Sequence, residues 1–214
     1  MVATTGLVLA SGFSRRMGRN KAFLALGERP LIEIVIERLE QVCAEVLIVA
    51  NDANGAAAYT GLGLAVVTDR FPGVGVLGGL HAGLTAASHD LTLAVGCDMP
   101  FLQPDLLQAF AGWAVGFDAV VLRHSAPDPQ TGRKEARIFV EPLHAAYRRS
   151  CLPALETAIQ AGKRRIISFF PDGHVRYVTL GDIAPFDPNL RSFRNVNTPE
   201  EWRAARAQWK AKSR

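Results

Sequence analysis

The stretch "LVLASGFSRRMGRNKAFLALGERPLIEIV", residues 7–35, decides how the chain is read. An apolar run ends in Ala10-Ser11-Gly12, then Arg15, Arg16 and Lys21 follow, and apolar residues take up helical spacing from Pro30 onward. That succession is a buried strand, a turn and an amphipathic helix. A turn of small residues at a strand's C-terminal end offers backbone N–H groups to an anion. Arg15, Arg16 and Lys21 add the positive charge that a triphosphate demands. The loop is not a Walker A motif, because Lys21 lacks the flanking Gly and Ser/Thr. A solvated basic loop accounts poorly for three cations framed by Gly12 and Gly18 at a strand end, where open α/β sheets take their ligands. The turn therefore reads as a nucleoside triphosphate site.

Outward from this unit, "TGLVLA" (5–10), "EVLIVA" (45–50), "LAVVT" (64–68), "LTLAVG" (91–96) and "AVVL" (119–122) are short, nearly continuous apolar runs, as expected of strands covered on both faces. Helical patterns over 30–43, 79–88 and 104–114 separate them. The alternation predicts an α/β fold, a Rossmann-like three-layer sandwich with a mostly parallel sheet. Residues 123–137 read as a polar surface loop or hairpin tip. Residues 139–162 read as a turn and a long helix stopped at Gly162. "VRYVTL" reads as a late strand. Thr198, Pro199 and Glu201 spell a capping box for a last helix, whose basic end, 203–214, reads as a solvated face or, less simply, a contact surface. The 214 residues suffice for one domain, with a nucleotide-binding half over 1–100 and an acceptor-side half over 101–202.

Composition narrows the function classes. No apolar stretch reaches the ~18 residues of a membrane span, and residues 1–10 read as a first strand rather than a signal peptide. Cys43, Cys97 and Cys151 are odd in number with no C-x-x-C pair, which points away from a disulfide framework and toward a reducing cytoplasm. The five scattered histidines give no zinc spacing. A net charge of +4 suits phosphate-bearing partners without itself indicating nucleic acid. "PGVGVLGGL" (72–80) contains Gly73-x-Gly75-x-x-Gly78, but it neither follows a strand directly nor opens the first βα unit. A nicotinamide- or flavin-dependent oxidoreductase is accordingly disfavoured, and the stretch reads as a loop that lets backbone approach a ligand.

Three further features lie at the same sheet edge. Asp98, in "LTLAVGCDMPFL", is delivered by a strand to its C-terminal end, where one carboxylate plus phosphate oxygens would hold Mg²⁺. Asp69 follows the strand 64–68 and serves either a base or ribose or its own turn. Asn195 and Asn197 in "NVN" share one side of an extended segment, for a ligand or for local hydrogen bonds. Cys97 reads as a small buried residue.

Together these residues resemble a known family. "LVLASGFSRRMGRNKAFL" is similar to the L-A-G-G-x-S-x-R-M-G-x-D-K-A signature of sugar- and cofactor-nucleotidyltransferases. "CDMPFL", "GVLGGL", "PLHAAY", "GKRRI" and "NVNTPEE" resemble more narrowly the molybdenum cofactor guanylyltransferases, in order from about residue 5 to 202. The resemblance implies a nucleotidyltransferase-type fold that joins GTP to molybdopterin with Mg²⁺ and releases pyrophosphate, with cofactor-delivery proteins as further partners. It implies nucleotide binding by Leu9, Ala10, Ser11, Gly12, Lys21, Asp69 and Asp98, and Mg²⁺ on Asp98. Arg16, Lys21 and Asp98 would be catalytic, and Asn195 and Asn197 would lie on the molybdopterin side. Rival readings are a transferase using CTP or another phosphorylated acceptor, and a non-catalytic nucleotide-binding protein. Three positions depart from the pattern: Ser11 stands for glycine, Asn20 for an acidic residue and Val76 for proline.

Overall fold

The computed structural model describes residues 2–10, 13–14, 19–71, 73–127 and 136–212. Among them, seven strands form the main sheet: β1 (Thr4–Leu9), β2 (Glu45–Ala50), β3 (Ala65–Thr68), β4 (Leu91–Gly96), β5 (Ala119–Pro127), β6 (Ala136–Arg148) and β7 (Val175–Val178). Their order across the sheet is β3-β2-β1-β4-β6-β5-β7. Within this sheet only β6 runs against its neighbours β4 and β5, and the sheet's other described pairs are parallel.

Alternation along the strands splits the core into two layers. Val8, Ile48, Leu93 and Val95 face α1 (Leu31–Glu40) and α4 (Pro104–Trp113). Leu7, Leu9, Leu47 and Val49 face α3 (Val76–Ala86) and α5 (Leu152–Gln160). Both faces of the sheet are covered, which is why its central strands carry almost no polar residues. The three-layer sandwich is as the sequence predicts. Two shorter helices, α2 (Ala53–Ala57) and α6 (Leu180–Ile183), fill connections.

A third apolar cluster docks the last helix, α7 (Pro199–Lys212). Trp202, Ala205 and Trp209 pack with Leu26, Leu31, Ile34 and Phe101. The Trp202 indole donates to the Ala25 carbonyl at 3.0 Å. The apolar side of this helix packs on the molecule's own core, while Arg203, Arg206 and Lys210 stay exposed on its solvated face. The predicted capping box is present, with Glu201 N donating to Thr198 Oγ1 at 3.1 Å and Thr198 N to Glu201 Oε2 at 3.0 Å.

The sequence reading errs over 123–148. Residues 139–148, read as a turn and the start of a long helix, belong to β6, and α5 begins only at Leu152. Residues 123–127, read as loop, extend β5; residues 128–135 lie outside the described residues. The cause is a bulge between Glu141 and Ala146, where His144 has φ 58°. It breaks the two-residue alternation that announces a strand. The Tyr147 hydroxyl donates to the Pro142 carbonyl at 2.6 Å across it. Helix α3 also starts three residues before the predicted 79, because Gly75, at φ 75°, turns the chain into it.

The His144 ring lies between Phe110 and Phe193, with centroids 5.1 and 4.7 Å away, and burial pulls its pKa down to about 4. The folded state thus favours the neutral ring. Its contribution is fully present above the ordinary histidine value near 6.5 and is lost as pH falls toward 4, by on the order of 3 kcal/mol. Urea unfolding across that range is expected to show this loss in the wild type and not in His144→Asn, a residue that tolerates positive φ.

Candidate active site

Strands β1 and β4 lie side by side and parallel, with Leu9 opposite Gly96. The chain leaves β1 toward β2 on one side and reaches β4 from β3 on the far flank, so this is the point where strand order reverses and a crevice opens. Ala10 N donates to the Val49 carbonyl at 2.9 Å and Cys97 N to the Leu9 carbonyl at 3.3 Å. These bonds deliver Ala10 and Asp98 to the crevice floor together. Cys97 is buried, and burial, reinforced by the Asp98 charge, pushes its thiol up to about 12. It is no nucleophile.

Asp98 is only 6% exposed, and its charge is answered from across the crevice. Lys21 opens a 3-10 turn, Lys21–Phe23, that Asn20 caps by accepting from Ala22 N at 3.1 Å. From there Lys21 Nζ reaches Asp98 Oδ2 at 2.5 Å and Asn197 Oδ1 at 2.7 Å. Val196 N donates to the Asp98 carbonyl at 2.9 Å, so segment 195–197 runs alongside. Glu201 Oε2 accepts from both Asn197 N, at 2.7 Å, and Thr198 N, which ties the capping box of α7 to the residue that receives Lys21. The other Asp98 oxygen folds over Gly96, where a Cβ would come within 2.5 Å of it. Gly96 is thus small so that the carboxylate can turn back over the strand end.

Asp69 occupies a separate place on the same edge, past β3. Its Oδ1 accepts from Phe71 N at 2.7 Å, so it does close its own turn. Burial raises its pKa. The carboxylate lies against the start of α3, 2.5 Å from where a Gly78 Cβ would stand. It borders a cavity of about 470 Å³ with Asn51, Asp52, Thr68, Gly73 and Gly75. Asn51 was missed in the sequence because a lone amide in "NDANG" reads as turn chemistry; only its place past the end of β2 marks it.

The sequence-predicted residues thus fall into three groups. Lys21, Asp98 and Asn197 are brought together, with Leu9 and Ala10 on the neighbouring strand end. Asp69 sits apart over its cavity. Asn195 lines another cavity, of about 260 Å³, with Phe101, Arg194, Glu201 and Gln208, and the structure does not bring it to Lys21. Ser11, Gly12, Arg15 and Arg16 lie outside the described residues. Among the described residues no group of three or more His, Cys, Asp or Glu could hold a metal. No helix among them is long and apolar enough to cross a membrane.

Residues 6–176 match the family described as MobA-like NTP transferase domain. This chain belongs to that family. Two relatives, from Desulfosudis oleivorans and Vibrio campbellii, bear the name molybdenum cofactor guanylyltransferase. Each is 36% identical to this MobA-like transferase, over 99% of this chain and 98% of the first relative, and over 92% of both chains for the second. Among solved structures, molybdopterin-guanine dinucleotide biosynthesis protein A from Archaeoglobus fulgidus superposes with a TM-score of 0.79 at 28% identity, covering 97% of this chain and 99% of that one.

The MobA-like crevice holds a nearly buried ion pair, and removing one partner strands the other's charge. Lys21→Met is expected to destabilise the protein by about 2–4 kcal/mol. The double variant with Asp98→Asn should recover most of that loss, measured by urea unfolding at neutral pH. Equal losses in the single and the double variant would mean that the pair is not what balances Asp98.

Proposed function

We propose that this protein transfers GMP from GTP to the terminal phosphate of molybdopterin and releases pyrophosphate. The observation that carries the proposal is the Lys21–Asp98–Asn197 cluster at the β1/β4 crevice, in a chain related to guanylyltransferases over nearly its whole length. The chemistry needs little from the protein beyond placement and charge. A phosphate monoester with second pKa near 6 is largely dianionic at neutral pH, so its oxygen attacks the α-phosphorus without a general base. The bond from the α-phosphorus to the bridging oxygen breaks, and pyrophosphate leaves with the electron pair. This fits a crevice where the adjacent cysteine stays protonated.

Leu9 and Ala10, with the loop through Ser11 and Gly12, would bind the triphosphate through backbone N–H groups. Lys21, with Arg16, would neutralise charge that grows on the phosphate oxygens. Asp98 fits a magnesium site made of one carboxylate and phosphate oxygens, and the ion would supply further charge neutralisation there. For Asp98 to serve it, the triphosphate must draw Lys21 away from Oδ2. Asp69 and Asn51 suit the base: a carboxylate beside a 470 Å³ cavity accepts hydrogen bonds, and guanine presents N–H donors along its N1 and 2-amino edge. Asn197, joined to Lys21, and Asn195 beyond it would meet molybdopterin from the side of α7. We place the reaction in the cytoplasm, with proteins that deliver molybdopterin as its partners.

Purified protein given GTP, Mg²⁺ and molybdopterin should release pyrophosphate, with CTP a poor substitute. Asp98→Asn should lower turnover by roughly a hundred- to a thousandfold. No pyrophosphate from the wild type would remove the enzymatic reading. Separately, Gly78→Ala drives a methyl into the Asp69 carboxylate and should weaken GTP binding by about tenfold in calorimetry, the equivalent of one displaced charged hydrogen bond.

A further inference from the structure

We propose that Tyr59 and Asn20 form a clasp that holds Ala10, at the exit of β1, in place relative to the turn that carries Lys21. This deepens the guanylyl-transfer proposal and rests on it. Tyr59 follows α2 in the chain and is 2% exposed. Its hydroxyl donates to the Ala10 carbonyl at 3.3 Å and accepts from Asn20 Nδ2 at 3.0 Å. The orientation of the Asn20 amide is set by its other end, because Oδ1 accepts from Ala22 N at 3.1 Å and so starts the turn bearing Lys21. The Tyr59 ring stacks on Phe23 at the end of that turn, centroids 5.5 Å apart and planes 17° from parallel. A single side chain thus touches the residue before the segment 11–19, the residue after it, and the turn that aims the lysine.

The direction of the hydrogen bonds gives Asn20 a meaning that its sequence context hides. A phenol has one proton to donate. Here the nearer acceptor is the Ala10 carbonyl, with Asn20 Oδ1 farther off at 3.5 Å, and the oxygen receives a second hydrogen bond from the Asn20 amide. Burial raises the Tyr59 pKa, which keeps that proton in place at neutral pH. An acidic residue at position 20, as in the family signature, has no N–H to give. The phenol would then turn its proton toward the carboxylate and abandon the Ala10 carbonyl. The new carboxylate would also compete with Asp98 for Lys21. Asn20 is therefore a donor matched to Tyr59, and both are positioning residues that act through Ala10 and Lys21.

The test compares Tyr59→Phe, Asn20→Asp and the double variant, each in the full chain, by calorimetry with Mg·GTP and with guanosine and by steady-state transfer to molybdopterin. A broken clasp should weaken GTP binding about tenfold in either single variant. Guanosine, which has no phosphates, should bind unchanged. The double variant should be no worse than the poorer single, because both break one chain of hydrogen bonds. Additive losses, equal losses for GTP and guanosine, or wild-type GTP affinity in Asn20→Asp would each overturn the clasp. If Tyr59→Phe fails to fold, Asn20→Ala, which removes the amide donor without adding a charge, decides the matter by its ratio of GTP to guanosine affinity. A wild type that neither binds GTP nor transfers GMP would overturn the functional proposal and the clasp with it, whereas an active wild type matched by its variants would remove the clasp alone.

Discussion

The parallel pairing of β1 with β4 is the constraint on which the rest of the structure depends. With Leu9 opposite Gly96, the residues beyond each strand emerge on the same edge at the same level. Their connections then diverge, β1 through α1 on one face and β3 through α3 on the other, which opens a crevice at the strand ends. Slippage by one residue would move Val8 and Leu9 into each other's layer, and two packed faces forbid it. The register that seals the core is therefore the register that places the site.

Electrostatics complete what topology begins. Asp98 is nearly buried beside apolar neighbours, a position that a lone carboxylate could hold only at high cost. Lys21 offsets that cost, and Asn197 holds the ammonium from its other side. A polyphosphate entering the crevice offers Lys21 a larger charge than Asp98 does, and it brings a metal that would engage Asp98. In the proposed reaction the pair would then be a resting arrangement, with both partners placed for the ligand. The capping box of α7 belongs to the same construction: Glu201 fixes the backbone of Asn197 while it starts the helix that Trp202 and Trp209 anchor.

Much of this was legible in the sequence where local chemistry and tertiary role coincide. Continuous apolar runs announced β1, β2 and β4 because strands buried on both faces need nothing else. Asp98 stood out because a charge directly after such a run has few places to go but the sheet edge, and Lys21 because it is one of three cations crowded onto the turn after β1. "NTPEE" disclosed its cap because both partners lie within four residues. β6 was hidden because its bulge at His144 destroys the period and its edge of mixed polarity resembles a turn. Tyr59 and Asn51 were hidden for another reason. Their meaning comes from residues far away in the chain, Ala10 and Asn20 for Tyr59 and Asp69 with the glycine turn for Asn51. Asn20 was noticed only as a missing charge, since the phenol that gives its amide a purpose is 39 residues distant.

The central claim is that the α-phosphate of GTP passes to molybdopterin in this crevice. Incubation with Mg²⁺, molybdopterin and GTP radiolabelled at either the α- or the γ-phosphate tests it directly. The account predicts that the α-label enters the molybdopterin product and the γ-label leaves as pyrophosphate. Transfer of the γ-label to molybdopterin, or release of both labels without any transfer, would contradict it.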